Sequence, residues 1–173
     1  MKKIILLGYM GAGKSSVGSS LSEISGIKHY DLDRLVESSE QKSIAEIFKT
    51  KGEVYFRKIE SKVFKETLSK KESLILSLGG GTPCYANNHL LLHQDGVFSV
   101  YLKTSVETLV KRLHNKKHTR PLIAELSDDG LSEYINKHLF DRNFYYHQAE
   151  LIINTDDKTF KEIANEIYSR FLD

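Results

Sequence analysis

Apolar residues along this chain fall into short unbroken runs and helix-spaced stripes that take turns from one end to the other. Ile4-Ile5-Leu6-Leu7 is a run with branched members, the mark of a strand buried on both faces. After a glycine-rich stretch, Val17, Leu21 and Ile24 recur at helical spacing. Residues 27–31 read as a second strand, thinner in apolar side chains and so nearer an edge. Ser43-Ile44-Ala45-Glu46 has the spacing of a capping box and opens a helix with Ile44, Ile47 and Phe48 on one face. Gly52 breaks it, and a second helix from about Glu53 carries Phe56, Ile59, Val63, Phe64 and Leu68. Residues 74–78 are a third strand, stopped by Gly79-Gly80-Gly81. A short helix is expected over 86–93 and a fourth strand over 97–102. Thr104-Ser105-Val106-Glu107 is a second capping box, opening a helix with Val106, Leu109, Val110 and Leu113 buried. The pattern lapses from Asn115 to about Asp129, then a long helix is expected from near Leu131 to Gln148. A strand over 151–154 and an amphipathic helix over 159–172 complete the chain.

Strands that alternate with helices imply right-handed crossovers and a parallel sheet covered on both faces. Five strands fit this chain of 173 residues, read as a single domain over 1–173. Ligands on such a sheet lie beyond the carboxyl ends of its strands. Composition narrows the field without deciding it. A formal charge of +2 is too near neutral to suggest nucleic acid as the main partner. No apolar run approaches the length of a membrane span, and the early run at Ile4 is too short for a secretory signal, so a cytoplasmic protein with no membrane partner is expected. Cys84 is the only cysteine and is read as a packing residue.

The chemistry starts at Gly8-Tyr9-Met10-Gly11-Ala12-Gly13-Lys14-Ser15, which matches the phosphate-loop pattern G-x-x-x-x-G-K-[ST] between a strand and a helix. Glycines allow successive backbone N–H groups to face one anion, and the following helix adds its free N–H groups and positive end. Lys14 would reach the β- and γ-phosphates of ATP, and the Ser15 hydroxyl would ligate Mg²⁺. Strand two ends in Asp31-Leu32-Asp33 on the same sheet edge. Acids two apart in extended chain point to opposite sides, so one is expected by the metal with Ser15 and the other at the acceptor. Asp31 is the candidate for the metal, because the third strand ends in Ser77-Leu78 rather than in an aspartate. An alternative for Asp33 is a helix N-cap before Arg34-Leu35-Val36-Glu37. Gly79-Gly80-Gly81 offers open backbone at the ligand edge, or only a flexible turn. Glu60, one turn beyond Arg57, is placed to hold its guanidinium. Arg142 sits among Phe140, Phe144, Tyr145 and Tyr146, a candidate apolar collar. Arg120, before Pro121 in the irregular basic segment, has the makings of a lid arginine that neutralises a phosphoryl group in transfer.

Taken together, Gly8–Ser15, Asp31-Leu32-Asp33, the Gly-Glu-x-x-Phe-Arg-x-x-Glu run from Gly52 to Glu60, Gly79–Gly81, Arg120-Pro121-Leu122 and Arg142 resemble the shikimate kinase family. The resemblance implies a three-layer α/β/α P-loop kinase fold with strand order 2-3-1-4-5 and a lid over about 114–129. It implies ATP-dependent phosphorylation of the 3-hydroxyl of shikimate, on the route to chorismate, by a monomer using ATP and Mg²⁺. By the same resemblance Asp33 meets the ring hydroxyls, Arg57 and Arg142 bind the carboxylate, and the amides of Gly79, Gly80 and Gly81 line that pocket. Lys14, Asp33 and Arg120 are the expected catalytic groups. Gly11, Ala12, Gly13, Lys14, Ser15, Ser16, Arg112, Arg120 and Lys158 are expected at the nucleotide, with Ser15 and Asp31 at the metal. The rival readings are a kinase acting on gluconate or a nucleoside monophosphate, and a P-loop switch protein. The switch reading lacks an Asn-Lys-x-Asp guanine-reading motif anywhere in the chain.

Overall fold

The computed structural model describes residues 1–114, 123 and 126–172. Its five strands are β1 (Lys3–Leu7), β2 (His29–Asp31), β3 (Leu74–Ser77), β4 (Val97–Lys103) and β5 (Leu151–Asn154). They pair in parallel in the order β2-β3-β1-β4-β5. The helices are α1 (Lys14–Ser25), α2 (Leu32–Glu40), α3 (Ile44–Ser69), α4 (Val106–His114), α5 (Asp128–Tyr146) and α6 (Phe160–Leu172).

The alternation of side chains along β1 divides the core in two. Ile5 and Leu7 face a cluster completed by Val36, Phe64, Leu109 and Ile135 from α2 to α5. Ile4 and Leu6 face the other side, packed with Val17 and Leu21 of α1 and Ile163 and Ile167 of α6. Both faces of the central strand are therefore dry, which is why its sequence is continuously apolar. Every crossover returns the chain to the same sheet edge. The phosphate loop, Asp31, the glycine triplet and the start of the segment after Asn154 all gather there.

Several local expectations are refined. The Ser43 capping box forms in full, Ser43 accepting from the Glu46 amide and Glu46 from the Ser43 amide. Gly52, at φ 79° and ψ 173°, kinks α3 and re-aims its second half, which carries Arg57 and Glu60. The second capping box is displaced by one residue. Ser105 accepts from the Thr108 amide at 3.2 Å, while Thr104 is buried against Thr155, hydroxyl to hydroxyl at 2.7 Å. Over 86–93 the chain is not an α-helix. Ala86 and Asn87 take left-handed backbone angles, and only a 3-10 segment, Asn88–His93, follows. Helix α5 begins at Asp128, capped by Ser127, so the last residues of the expected lid are its first turn. β2 is shorter than expected, starting at His29 rather than Ile27. Among the described residues no helix is long and apolar enough to cross a membrane.

Helix α1 lies so close to β2 that a Cβ at Gly18 would stand 2.3 Å from Nε2 of His29, whose ring also bonds Ser77 Oγ at 2.9 Å. Alanine at position 18 would gain about 1 kcal/mol of helix propensity. Overpacking typically costs about 1–3 kcal/mol and should win. Gly18→Ala should therefore lower the urea midpoint, and adding His29→Ala should restore most of the loss.

Candidate active site

The phosphate loop leaves β1 at Gly8 and enters α1 at Lys14. Gly13 caps the helix at φ 95°, and a side chain there would also strike the Phe160 ring at 2.6 Å. Glycine is required twice over at that position. Lys14 Nζ donates to the carbonyls of Gly8 and Tyr9 at 2.8 and 2.9 Å, which holds the ammonium across the loop. Ser15 Oγ donates to Asp31 Oδ2 at 2.8 Å, so the hydroxyl and carboxylate expected at the metal do meet. Arg112 of α4 donates to the carbonyls of Gly11 and Ala12 at 3.2 and 3.3 Å and lies over the Phe160 ring. Together these groups border a cleft of ≈ 530 Å³ that runs from Ser16 and Gly13 past Lys14 to Asp33 and Gly80.

Asp31 and Asp33 differ in a way that extended-chain alternation does not explain. Asp31 is the last residue of β2 and the N-cap of α2, its side chain accepting from the Asp33 amide at 3.1 Å. Asp33 lies in the first turn of that helix. The cap is thus Asp31 rather than Asp33, and a change of backbone from strand to helix separates the two carboxyls. Burial, and then the negative charges of Asp31 and Glu60, push the Asp33 pKa up to about 6, against a smaller opposing pull from Lys14.

The glycine triplet explains how the remaining groups converge. None of its three residues has positive φ, so space rather than backbone freedom is what glycine supplies. A Cβ on Gly79 would stand 2.9 Å from Glu60 Oε1 and 3.0 Å from Asp33 Oδ1. One on Gly80 would stand 3.4 Å from Arg142 Nη1, and one on Gly81 2.9 Å from both Nη atoms of Arg57. Each glycine in turn makes room for one functional side chain. Arg57 Nη1 donates to Glu60 Oε2 at 3.0 Å, and Glu60, only 1% exposed, accepts from Thr82 Oγ1 at 2.7 Å through its other oxygen. Tyr85 lies against the same guanidinium, 4.2 Å from ring centroid to Cζ.

Arg142 has only part of the expected collar, Tyr146. Phe140 and Phe144 are 84% and 63% exposed, on the outer side of α5. The guanidinium rests 5.4 Å from the Tyr9 ring and close to Tyr146, whose hydroxyl donates to the Gly80 carbonyl at 2.6 Å. Lys158 is turned to an ion pair with Glu166 at 2.7 Å, and Phe160 rather than Lys158 borders the cleft. Arg120 lies outside the described residues. Thr82, Tyr85, Tyr9 and Phe160 were not foreseen as site residues. Only Tyr9 carried a local signal, its place inside the loop, and nothing in spacing tells that its ring points toward α5.

A phosphate loop beside a charged pocket at the carboxyl edge of a 2-3-1-4-5 sheet defines a P-loop kinase. The family model for shikimate kinase matches residues 10–171. A shikimate kinase of Flavobacterium psychrophilum is 53% identical over 97% of this chain and 98% of its own length. One of Flavobacterium johnsoniae is 51% identical over 96% of this chain and 97% of its own. The solved structure of shikimate kinase from Acinetobacter baumannii in complex with shikimate superposes with a TM-score of 0.88 at 33% identity, covering 99% of this chain and 93% of that one. This chain belongs to the shikimate kinase family, and its activity is the phosphorylation of shikimate by ATP. The gluconate and nucleoside-monophosphate alternatives are not favoured.

A carboxyl group whose folded pKa is raised stabilises the fold least when it is ionised. Its contribution is full below the unfolded value of 3.8 and is lost as pH rises through about 6. Asp33→Asn should therefore raise the unfolding free energy by about 1–3 kcal/mol at pH 8. The gain should fade as the pH falls toward the unfolded value, which denaturant melts across that range would read.

Proposed function

We propose that the pocket between Asp33, Arg57 and Arg142 takes shikimate, its carboxylate on the two guanidinium groups and its 3-hydroxyl turned toward Lys14. The observation that carries this reading is the triplet Gly79–Gly81, whose successive residues lie against Asp33, Arg142 and Arg57 and whose first two border the cleft that holds the phosphate loop. A carboxylate matches a guanidinium fork with two parallel hydrogen bonds. Arg57 is fixed by Glu60 and Tyr85, and Arg142 by Tyr9 and Tyr146, so both meet the acid already oriented.

In the transfer, the acceptor oxygen bonds to the γ-phosphorus while the bridging bond to the β-phosphate breaks. The hydroxyl proton passes to Asp33, whose raised pKa makes it a better proton acceptor than an ordinary aspartate while leaving it ionised near neutrality. Lys14 balances charge on the phosphoryl group in transfer, and the loop amides hold the departing β-phosphate. Ser15 and Asp31 present two oxygens on the phosphate side and would hold a Mg²⁺ ion, which would supply positive charge against the phosphates. Such an ion keeps most of its shell as water and phosphate oxygen, so two protein oxygens suffice. Among the described residues no group of three or more His, Cys, Asp or Glu assembles. Every group named comes from one chain, which suits a monomer, and a single cysteine, Cys84, suits the cytoplasm.

Lys14→Ala should remove most turnover while the circular-dichroism spectrum stays native; near-normal turnover would refute its role. The dependence of kcat/KM for shikimate on pH should show an acid limb near the Asp33 value of about 6, rising with pH as the carboxylate ionises. Asp33→Asn should abolish that limb along with most of the activity.

Arg142→Lys keeps the charge and loses the fork. It should raise KM for shikimate by roughly one to three kcal/mol of lost charge-assisted bonding, with little effect on MgATP. Wild type should discriminate strongly against the neutral amide of shikimate and the variant much less. Equal rejection by both would mean that Arg142 does not read the carboxylate.

A further inference from the structure

Tyr9 occupies a position in the phosphate loop where the anion uses only the backbone. Its side chain nevertheless leaves the loop and joins the two halves of the site. Its carbonyl accepts from Lys14 Nζ at 2.9 Å. Its ring lies 5.4 Å from Arg142 Cζ, within the range at which a guanidinium is drawn to an aromatic ring. Its hydroxyl shares a 2.9 Å hydrogen bond with Nδ1 of His138, which stands one helical turn before Arg142 on α5. The His138 ring is itself held by Tyr134, with centroids 4.2 Å apart. Tyr9 is 1% exposed, so these contacts are made away from water, where polar interactions are worth more.

We propose that Tyr9 is a positioning residue that couples the nucleotide and acceptor sites, linking the phosphate lysine to the carboxylate arginine. This rests on the assignments of Lys14 to phosphate and Arg142 to carboxylate made above. A phosphate group and the Tyr9 carbonyl compete for the Lys14 ammonium, so nucleotide binding changes the hold on the loop residue whose ring and hydroxyl set Arg142 and His138. Loading the loop then favours the arginine geometry that receives the acid. Coupling of this kind is reciprocal, so shikimate must tighten nucleotide binding by the same factor.

Titration calorimetry tests this through the affinity of shikimate alone and in saturating MgADP. Wild type should bind shikimate at least about fivefold more tightly with nucleotide present, the lower end of ordinary coupling, and the reverse titration should give the same factor. In Tyr9→Leu that factor should fall close to one. Tyr9→Phe, which keeps the ring and loses the bond to His138, should reduce it in part, as should His138→Ala. A factor of one in wild type, or a wild-type factor in Tyr9→Leu, overturns the proposal. A merely structural Tyr9 would weaken both ligands and leave the factor intact, which also counts against it. If Tyr9→Leu does not fold, an undiminished factor in both Tyr9→Phe and His138→Ala overturns it. Arg142→Lys separates the underlying assignment: unchanged affinity for shikimate alone in that variant removes Arg142 from the carboxylate, whatever the coupling factor does.

Discussion

The acceptor half of the site depends on how closely side chains approach one stretch of backbone. Gly79–Gly81 leaves the end of β3 with no side chain of its own, and a carboxyl pair and two guanidinium groups use the volume that three Cβ atoms would fill. Any side chain at Gly79 or Gly81 would displace a charged group from a buried partner, because the nearest atoms are Glu60, Asp33 and Arg57. The groups come from three different helices, α2, α3 and α5. What aligns them is the sheet edge they share, which the parallel topology returns to after every crossover.

Glu60 shows how that approach is made tolerable. A carboxylate 1% exposed is costly unless its lone pairs are met, and here one oxygen takes Arg57 and the other the Thr82 hydroxyl. Thr82 begins the 3-10 turn that follows the triplet, and its carbonyl is bonded by buried Asn88, which also takes the Ser61 hydroxyl one residue past Glu60. Arg57 is therefore anchored through a polar chain that returns to its own helix. Such a closed network specifies one geometry more than it adds stability. The kink at Gly52 belongs to the same device, since it turns the Arg57–Glu60 half of α3 independently of the half capped by Ser43.

Much of this was legible in the chain. The apolar runs give the strands and their parallel order, since a run such as Ile4–Leu7 has no solvent face to offer. The phosphate loop is recognisable because its spacing and context follow from the chemistry of one anion. Local sequence misled where tertiary contacts decided. The box at Thr104 moved to Ser105 because Thr104 found a buried hydroxyl partner 51 residues away. Of the aromatic neighbours of Arg142 in sequence, Phe140 and Phe144 point outward and Tyr146 is buried beside it, while Tyr9 joins it from the phosphate loop. The split of Asp31 and Asp33 between two tasks was argued from extended-chain alternation, and that ground fails, since the chain turns into a helix between them.

That turn decides the character of Asp33. As N-cap, Asp31 accepts from the Asp33 backbone amide and from the Ser15 hydroxyl. Asp33, one step into the helix and facing Glu60 across Gly79, has lost water and gained two negative neighbours. Asp31 is bonded to the Ser15 hydroxyl on the phosphate side, while burial and its neighbours bring Asp33 into a range where it can exchange a proton near neutrality. An aspartate at its ordinary value would be a feeble acceptor for a hydroxyl proton, whereas one raised far above neutrality would already be occupied. A value of about 6 lies between these limits. The fold supports it by keeping Lys14, the one nearby cation that lowers it, tied to the Gly8 and Tyr9 carbonyls across the loop rather than paired with Asp33.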